Sequence, residues 1–234
     1  MAVNTWAGDP KTTTAMPERV TKTLAVGCLW LCATFAQAAT ATLSPPDLAD
    51  LDPQVRHAVA EFERIVTDRD LDAFERHIAA DAKMSFGGDG PGAAGLREVW
   101  NPQRPDTELW RELDRIVALG GVQSSENGKL VWSAPYPAFA GPDDLYEDPF
   151  STFIVTGTRV ALRSAPDAGA DVLARVDYAV LNSDCEGTEH WICVRWDGRP
   201  AYVHESVVRS PVDHRLSMEI ADGDWKIAYF VAGD

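Results

Sequence analysis

From Pro53 to Asp68 the apolar positions Val55, Val59, Phe62 and Val66 recur at helical spacing, with Asp52 placed to cap the helix and Pro53 at its favoured first position. A second short helix is predicted over residues 71–79, where Leu71, Phe74 and Ile78 share one face. Residues 84–86 read as a short strand ending at Gly87-Gly88, and Gly90-Pro91-Gly92 breaks the chain before a helix through Leu96, Val99 and Trp100. Leu109, Trp110, Leu113, Ile116 and Val117 form the apolar stripe of a further helix, with Asp106 as its cap and Gly120-Gly121 as its end. The pattern then changes. Residues 130–132 make a short strand candidate, and from Phe153 onward short β-branched and aromatic runs alternate with turn pairs such as Asp197-Gly198 and Asp222-Gly223. No internal repeat is present.

A different pattern stands at the start of the chain. Arg19 and Lys22 precede an apolar run from Leu24 to Phe35, and Ala36-Gln37-Ala38 follows it. Basic flank, apolar run of about 12 residues and an A-x-A site are the three parts of a secretory signal, with Met16 as its inferred start of translation. The run is shorter than the roughly 18 to 20 residues of a spanning helix, which sets the signal reading above an uncleaved anchor. A lipid anchor through Ala25-Val26-Gly27-Cys28 is a further alternative, but it strands the second half of the apolar run. Residues 1–38 are therefore expected to be a signal peptide with an upstream extension, residues 39–51 a linker, and the mature protein periplasmic or secreted with no membrane span. Cleavage would leave Cys185 and Cys193 as the only cysteines, in a compartment that permits disulfides.

The 234 residues suffice for one large domain or two small ones. With 21 Lys and Arg against 36 Asp and Glu, the formal net charge of −15 has the wrong sign for tracking phosphates, which excludes a general nucleic-acid binder.

The stretch Val160-Ala-Leu-Arg163-Ser-Ala-Pro166, followed by 167–173, resembles the opening of bacterial Src homology 3 (SH3-like) domains. The resemblance continues in order through Leu173-Ala-Arg-Val176, Ala179-Val-Leu181, the hairpin Trp191-Ile-Cys-Val-Arg-Trp196 with Asp197-Gly198, and Ala201-Tyr-Val-His-Glu-Ser206. Pro200-Ala201 stands where the family usually has a Gly, and the cysteine-bearing insert is a second departure. The resemblance implies a small all-β barrel over residues 156–210, with Val160, Leu162, Leu173, Ile192, Val194 and Val203 inward and Arg163 and Arg195 outward. It also implies a binding module of the cell envelope, associated with peptidoglycan or peptide recognition.

Residues 216–220 and 225–230 form a hairpin pattern beyond the natural end of such a barrel and need another partner. Two helices, a strand, a Gly turn and a helix completed by this hairpin resemble a reduced cone-shaped domain of the nuclear transport factor 2 kind. The expected fold class is therefore α+β: a mainly helical N-terminal domain over residues 52–155, completed by a C-terminal β-hairpin within 211–234, with the barrel inserted between them.

Chemistry is sparse. Cys185 and Cys193 have the same parity about the 187–191 tip, which favours a disulfide; zinc through Cys185, His190 and Cys193 is the rival, but C-x-x-C and H-E-x-x-H spacings are missing. His57 and His77 lie near Glu61 and Glu75 on helices and could serve acid–base work, although solvated helix surface is the commoner outcome. His204 and His214 have no partner at metal spacing. Gly87-Gly88-Asp89-Gly90 has the look of an anion-binding turn without the following Lys-Ser/Thr, and Asp143, Asp144, Glu147 and Asp148 lack the spacing of a calcium loop. No catalytic residue, metal or cofactor is expected. The sequence thus points to an exported binding protein, leaning away from an enzyme, that takes a cell-envelope peptide or glycan through Tyr178, Trp191, Trp196 and Tyr202. The alternative is a small-molecule-binding or enzymatic α+β domain with a pocket near Phe86, Trp100, Trp110 and Trp132, the barrel being structural. Oligomeric state is not legible.

Overall fold

Asp52 accepts the N–H of Gln54 and Pro53 occupies the first turn, so helix α1, Pro53–Asp68, starts where its cap allows. Its buried face is Val55, Ala58, Val59, Phe62, Ile65 and Val66, and it ends at Arg69, whose φ of 55° is left-handed. Arg69 is held there by both oxygens of Asp114, at 2.8 and 2.6 Å. The computed structural model describes residues 41–142, 145–146 and 148–233, so the signal-peptide reading of residues 1–38 and the carboxylates of Asp143, Asp144 and Glu147 lie outside the described residues.

Helix α2, Leu71–Arg76, is capped by Asp70 and stops short of the predicted 79. Strand β1, Ile78–Lys83, begins there instead of at Met84. The reason is a partner far along the chain: Ile227 N–H donates to the His77 carbonyl, and Ile78 pairs with Ile227, so sheet bonding replaces another helical turn. Helix α3, Gly92–Trp100, and helix α4, Leu109–Leu119, follow as the apolar spacing requires. Asp106 does not cap α4. It is drawn into an ion pair with Arg104, and the Thr107 hydroxyl accepts the Leu109 N–H. Strands β2, Val122–Glu126, and β3, Lys129–Ala134, are joined by Asn127-Gly128, both at positive φ.

Strands β4, Thr152–Val155, β5, Val160–Arg163, β6, Val172–Val176, β7, Val180–Asn182, β8, Trp191–Trp196, and β9, Arg199–His204, come next. A 3₁₀ turn, Glu205–Val207, leads into the two-residue strand β10, Val208–Arg209, before the hairpin of β11, Arg215–Ala221, and β12, Asp224–Val231. The class is α+β.

The largest sheet has the order β1-β12-β11-β3-β2, with β1 parallel to β12 and the other pairs antiparallel. The C-terminal hairpin therefore fills the middle of a sheet whose other strands precede residue 135. Leu216 pairs with Ala134, so the chain leaves and re-enters this sheet at one point. α1 to α4 pack on the sheet through a core that includes Phe62, Phe74, Trp132, Trp225 and Phe230. Phe62 meets Trp132 and Trp225 edge-on at 6.0 Å each, a favoured aromatic geometry.

Between β3 and β11 the strands form two smaller sheets, β10-β4-β7 and β6-β5-β9-β8. They do not close into one hydrogen-bonded ring. They do share an apolar core built on Val155, Leu162, Val176, Leu181, Val194 and Val203. Val160, Leu173 and Ile192 pack against this core, whereas Arg195 is exposed. β4, which lies within the stretch read as the helical part, pairs with β7 and β10. Part of the expected linker is also engaged: Thr42 bridges Ala179, and Leu43 N–H donates to the Tyr178 carbonyl.

Candidate functional site

The two-residue turn Asp197-Gly198 sets the β8–β9 register, pairing Trp191 with His204 and Cys193 with Tyr202. Side chains alternate along a strand, so Trp191, Cys193, Tyr202 and His204 share one face and Ile192, Val194, Trp196, Ala201 and Val203 the other. The second face packs on the strand core, with Trp196 half-buried against it. Trp191 and Tyr202 are thus together on the outer face, and Trp196 is turned away from them. Tyr178, at φ 49°, belongs elsewhere: its phenol lies near the buried Tyr136, whose own phenol burial pushes up to about 12, with Tyr178 and Tyr146 adding to the shift.

Trp191 borders an apolar groove of about 300 Å³ with Val160, Ala161, Ala168, His204 and Val207. Each wall has a fixing contact. The 164–171 loop is held by Arg163, whose guanidinium donates to the Ala170 carbonyl at 2.8 Å. His204 stands edge-on to Trp191 at 5.1 Å, and its Nδ1 accepts the Ser206 N–H, so the neutral ring carries its proton on Nε2. The 3₁₀ turn bearing Val207 is tied to the preceding loop twice: Glu205 N–H donates to the His190 carbonyl, and Glu205 Oε1 is 2.7 Å from His190 Nδ1. That hydrogen bond, then the Glu205 charge, raises the His190 pKa above 6.5.

The loop before β8 is closed by a disulfide between Cys185 and Cys193. Both thiols are consumed by it, which removes the zinc alternative. Gly187 sits so near the start of β8 that a Cβ would lie 2.6 Å from the Trp191 carbonyl oxygen. The groove's aromatic edge therefore depends on a covalent closure and a glycine that permits close approach.

The second aromatic set is not assembled around a pocket. Trp132 is 1% exposed within the helix–sheet core, and Trp110 meets Phe74 edge-on. Trp100 stacks on Phe230 at 5.0 Å, whereas Phe86 is exposed beneath the Lys83 ammonium. His77 meets Glu61 and not Glu75, which holds Arg97. Its ring stacks on Trp225, its Nδ1–H donates to the Trp225 carbonyl, and Glu61 accepts the Trp225 indole N–H at 2.9 Å. Such a set buttresses β12 against the helices. His57 is exposed, and His214 lies beneath Trp100 and Phe230, where burial lowers its pKa.

The glycine turn is occupied by its own carboxylate, with Asp89 hydrogen-bonded to Ser85 and Ser85 accepting the Gly87 N–H. An anion would meet that carboxylate first. Among the described residues no group of three or more His, Cys, Asp or Glu side chains is placed to hold a metal ion, and no helix is long and apolar enough to cross a membrane.

Sequence reasoning gave no binding role to His204, Val207 or Ala168. The signal for His204 was present, because counting outward from Asp197-Gly198 sets it opposite Trp191. Ala168 carried no such signal, since a loop folds over a strand by tertiary contacts. No family model, curated protein or solved structure matches the chain.

Proposed function

We propose that this chain is an exported binding protein whose strand-rich module, read as SH3-like, takes a cell-envelope peptide or glycan in the groove beside Trp191. The observation that carries the reading is the groove itself, an apolar concavity bordered by an aromatic edge and pinned on each side by a specific hydrogen bond. Concave apolar surfaces with a few fixed polar groups are the usual form of a ligand site. The disulfide is compatible with an oxidising, extracytoplasmic compartment. The net charge of −15 favours neutral or cationic ligands over polyanions.

Retention on purified peptidoglycan, together with titration of its soluble peptide and glycan fragments, tests the proposal. Trp191→Ala should fold normally and weaken binding by about ten-fold, in keeping with a half-buried aromatic anchor that borders the groove and lies outside the strand core. Trp196→Ala should instead lower thermal stability by about 2 to 3 kcal/mol, below the full cost of a buried aromatic because it is only half-buried. A folded Trp191→Ala protein with wild-type retention, or a wild-type protein with none, refutes this function.

A further inference from the structure

A larger concavity lies between α4 and the strand module. This cleft, of about 550 Å³, is bordered by Arg115 and Leu119 of α4, by Phe153 and Ile192, and by Glu205 and Asp213, with Arg209 also lining it. The Arg209 side chain is 8% exposed. Its Nη2 donates to Glu112 Oε1 at 2.5 Å and to the His214 carbonyl at 2.7 Å. Its Nε is sealed from solvent without a hydrogen bond, the Asp213 carboxylate standing 3.4 Å away. The other oxygen of Glu112 accepts from Arg115 at 3.3 Å.

Two guanidiniums therefore share one buried carboxylate. The sealed Arg209 Nε is out of reach of a ligand, but Arg115 is 58% exposed and bonds Glu112 through Nη1 alone, so its guanidinium, with five N–H donors in a planar fork, has donor capacity at the cleft for a second anionic group. The same cleft presents two half-exposed carboxylates, Asp213, whose Oδ2 faces Arg209 and accepts the Ser210 N–H, and Glu205, whose Oε1 faces His190; the second oxygen of each suits a cation. A simple anion would be repelled by them and a simple cation by the arginines. Phe153, Ile192 and Leu119 give the cleft an apolar part as well.

We propose that this cleft binds a small zwitterion, a free amino acid or dipeptide, with its carboxylate on Arg115, its ammonium toward Asp213 or Glu205, and its side chain on the apolar wall. The site is separate from the Trp191 groove.

Calorimetric titration of the full chain with alanyl-alanine, N-acetyl-alanyl-alanine and alanyl-alanine amide tests this. The free dipeptide should saturate with a Kd below about 1 mM. Each cap removes one charge and should weaken binding by about ten-fold, as expected for the loss of a charge-assisted hydrogen bond. Arg115→Gln, a change at an exposed guanidinium, should weaken the free dipeptide and the acetylated form but not the amide. Ala118→Trp, at an exposed position of α4 that lines the cleft, should abolish binding with an unchanged circular dichroism spectrum. Trp191→Ala should leave dipeptide binding intact, which separates this site from the groove. No saturable heat with any of the three compounds, or equal affinity for free and capped forms, overturns the proposal.

Discussion

His214 and His190 titrate in opposite senses. Burial under Trp100 and Phe230 disfavours the His214 imidazolium, and the Arg209 charge adds to this, while Glu112 and Asp213 act against it. Because its folded pKa is depressed, the unfolded chain binds the proton more readily. The stability it contributes is complete above 6.5 and is lost as pH falls from there through the folded value. For His190, paired with Glu205, the folded pKa is raised, so its contribution is present below 6.5 and is lost as pH rises through the folded value. Its exposure and solvent screening make the effect small. Urea denaturation across pH 5 to 8, about the range in which imidazoles titrate, should therefore show net stabilisation with rising pH, and His214→Phe should abolish that slope. A slope unchanged in His214→Phe would place its origin elsewhere.

At the scale of elements, the loop from Cys185 to Cys193 depends on Gly187. A Cβ there meets backbone, at 2.6 Å from the Trp191 carbonyl oxygen, and backbone cannot swing aside as a side chain can. Gly187→Ala should cost about 1 to 3 kcal/mol, the usual range for overpacking. Reduction of the disulfide should shrink that cost, because an open loop can move off β8; identical melting of variant and wild type under oxidising conditions would show the contact to be slack. Local patterns of this kind decided how much was readable beforehand. α1 was legible because cap, Pro and apolar stripe agreed, and β8, β9, β11 and β12 because two-residue turns set their pairing. β2 was hidden by its polar sequence Val-Gln-Ser-Ser-Glu, although Asn127-Gly128 marks the hairpin. β1 was misplaced because its register comes from β12, more than a hundred residues away. In the candidate site, the shared face of Trp191 and Tyr202 was legible from the turn, but Trp196 was assigned outward because parity along β8 was not followed from Trp191.

For the molecule as a whole, β11 and β12 link β1 to β3, so no continuous sheet exists without them. Trp225, Ile227 and Phe230 of β12 belong to the same core as Phe62 and Phe74. Removing residues 216–233 should abolish the cooperative melting of the helical layer, since the loss of several such side chains at about 2 to 5 kcal/mol each exceeds the stability of an ordinary domain. A truncated chain that still melts cooperatively at the wild-type temperature would contradict this. The strand module has its own core and should keep most of its amide-exchange protection in that chain, apart from β10, which Arg209 ties to Glu112 of α4.

The pairing of Ala134 with Leu216 also bears on the order in which the protein is made. The helices emerge first, but the two strands that cover their apolar faces emerge after the whole strand module. During synthesis the helical segment therefore stays without the two strands that complete its sheet, its apolar face uncovered, while the module can already condense behind it.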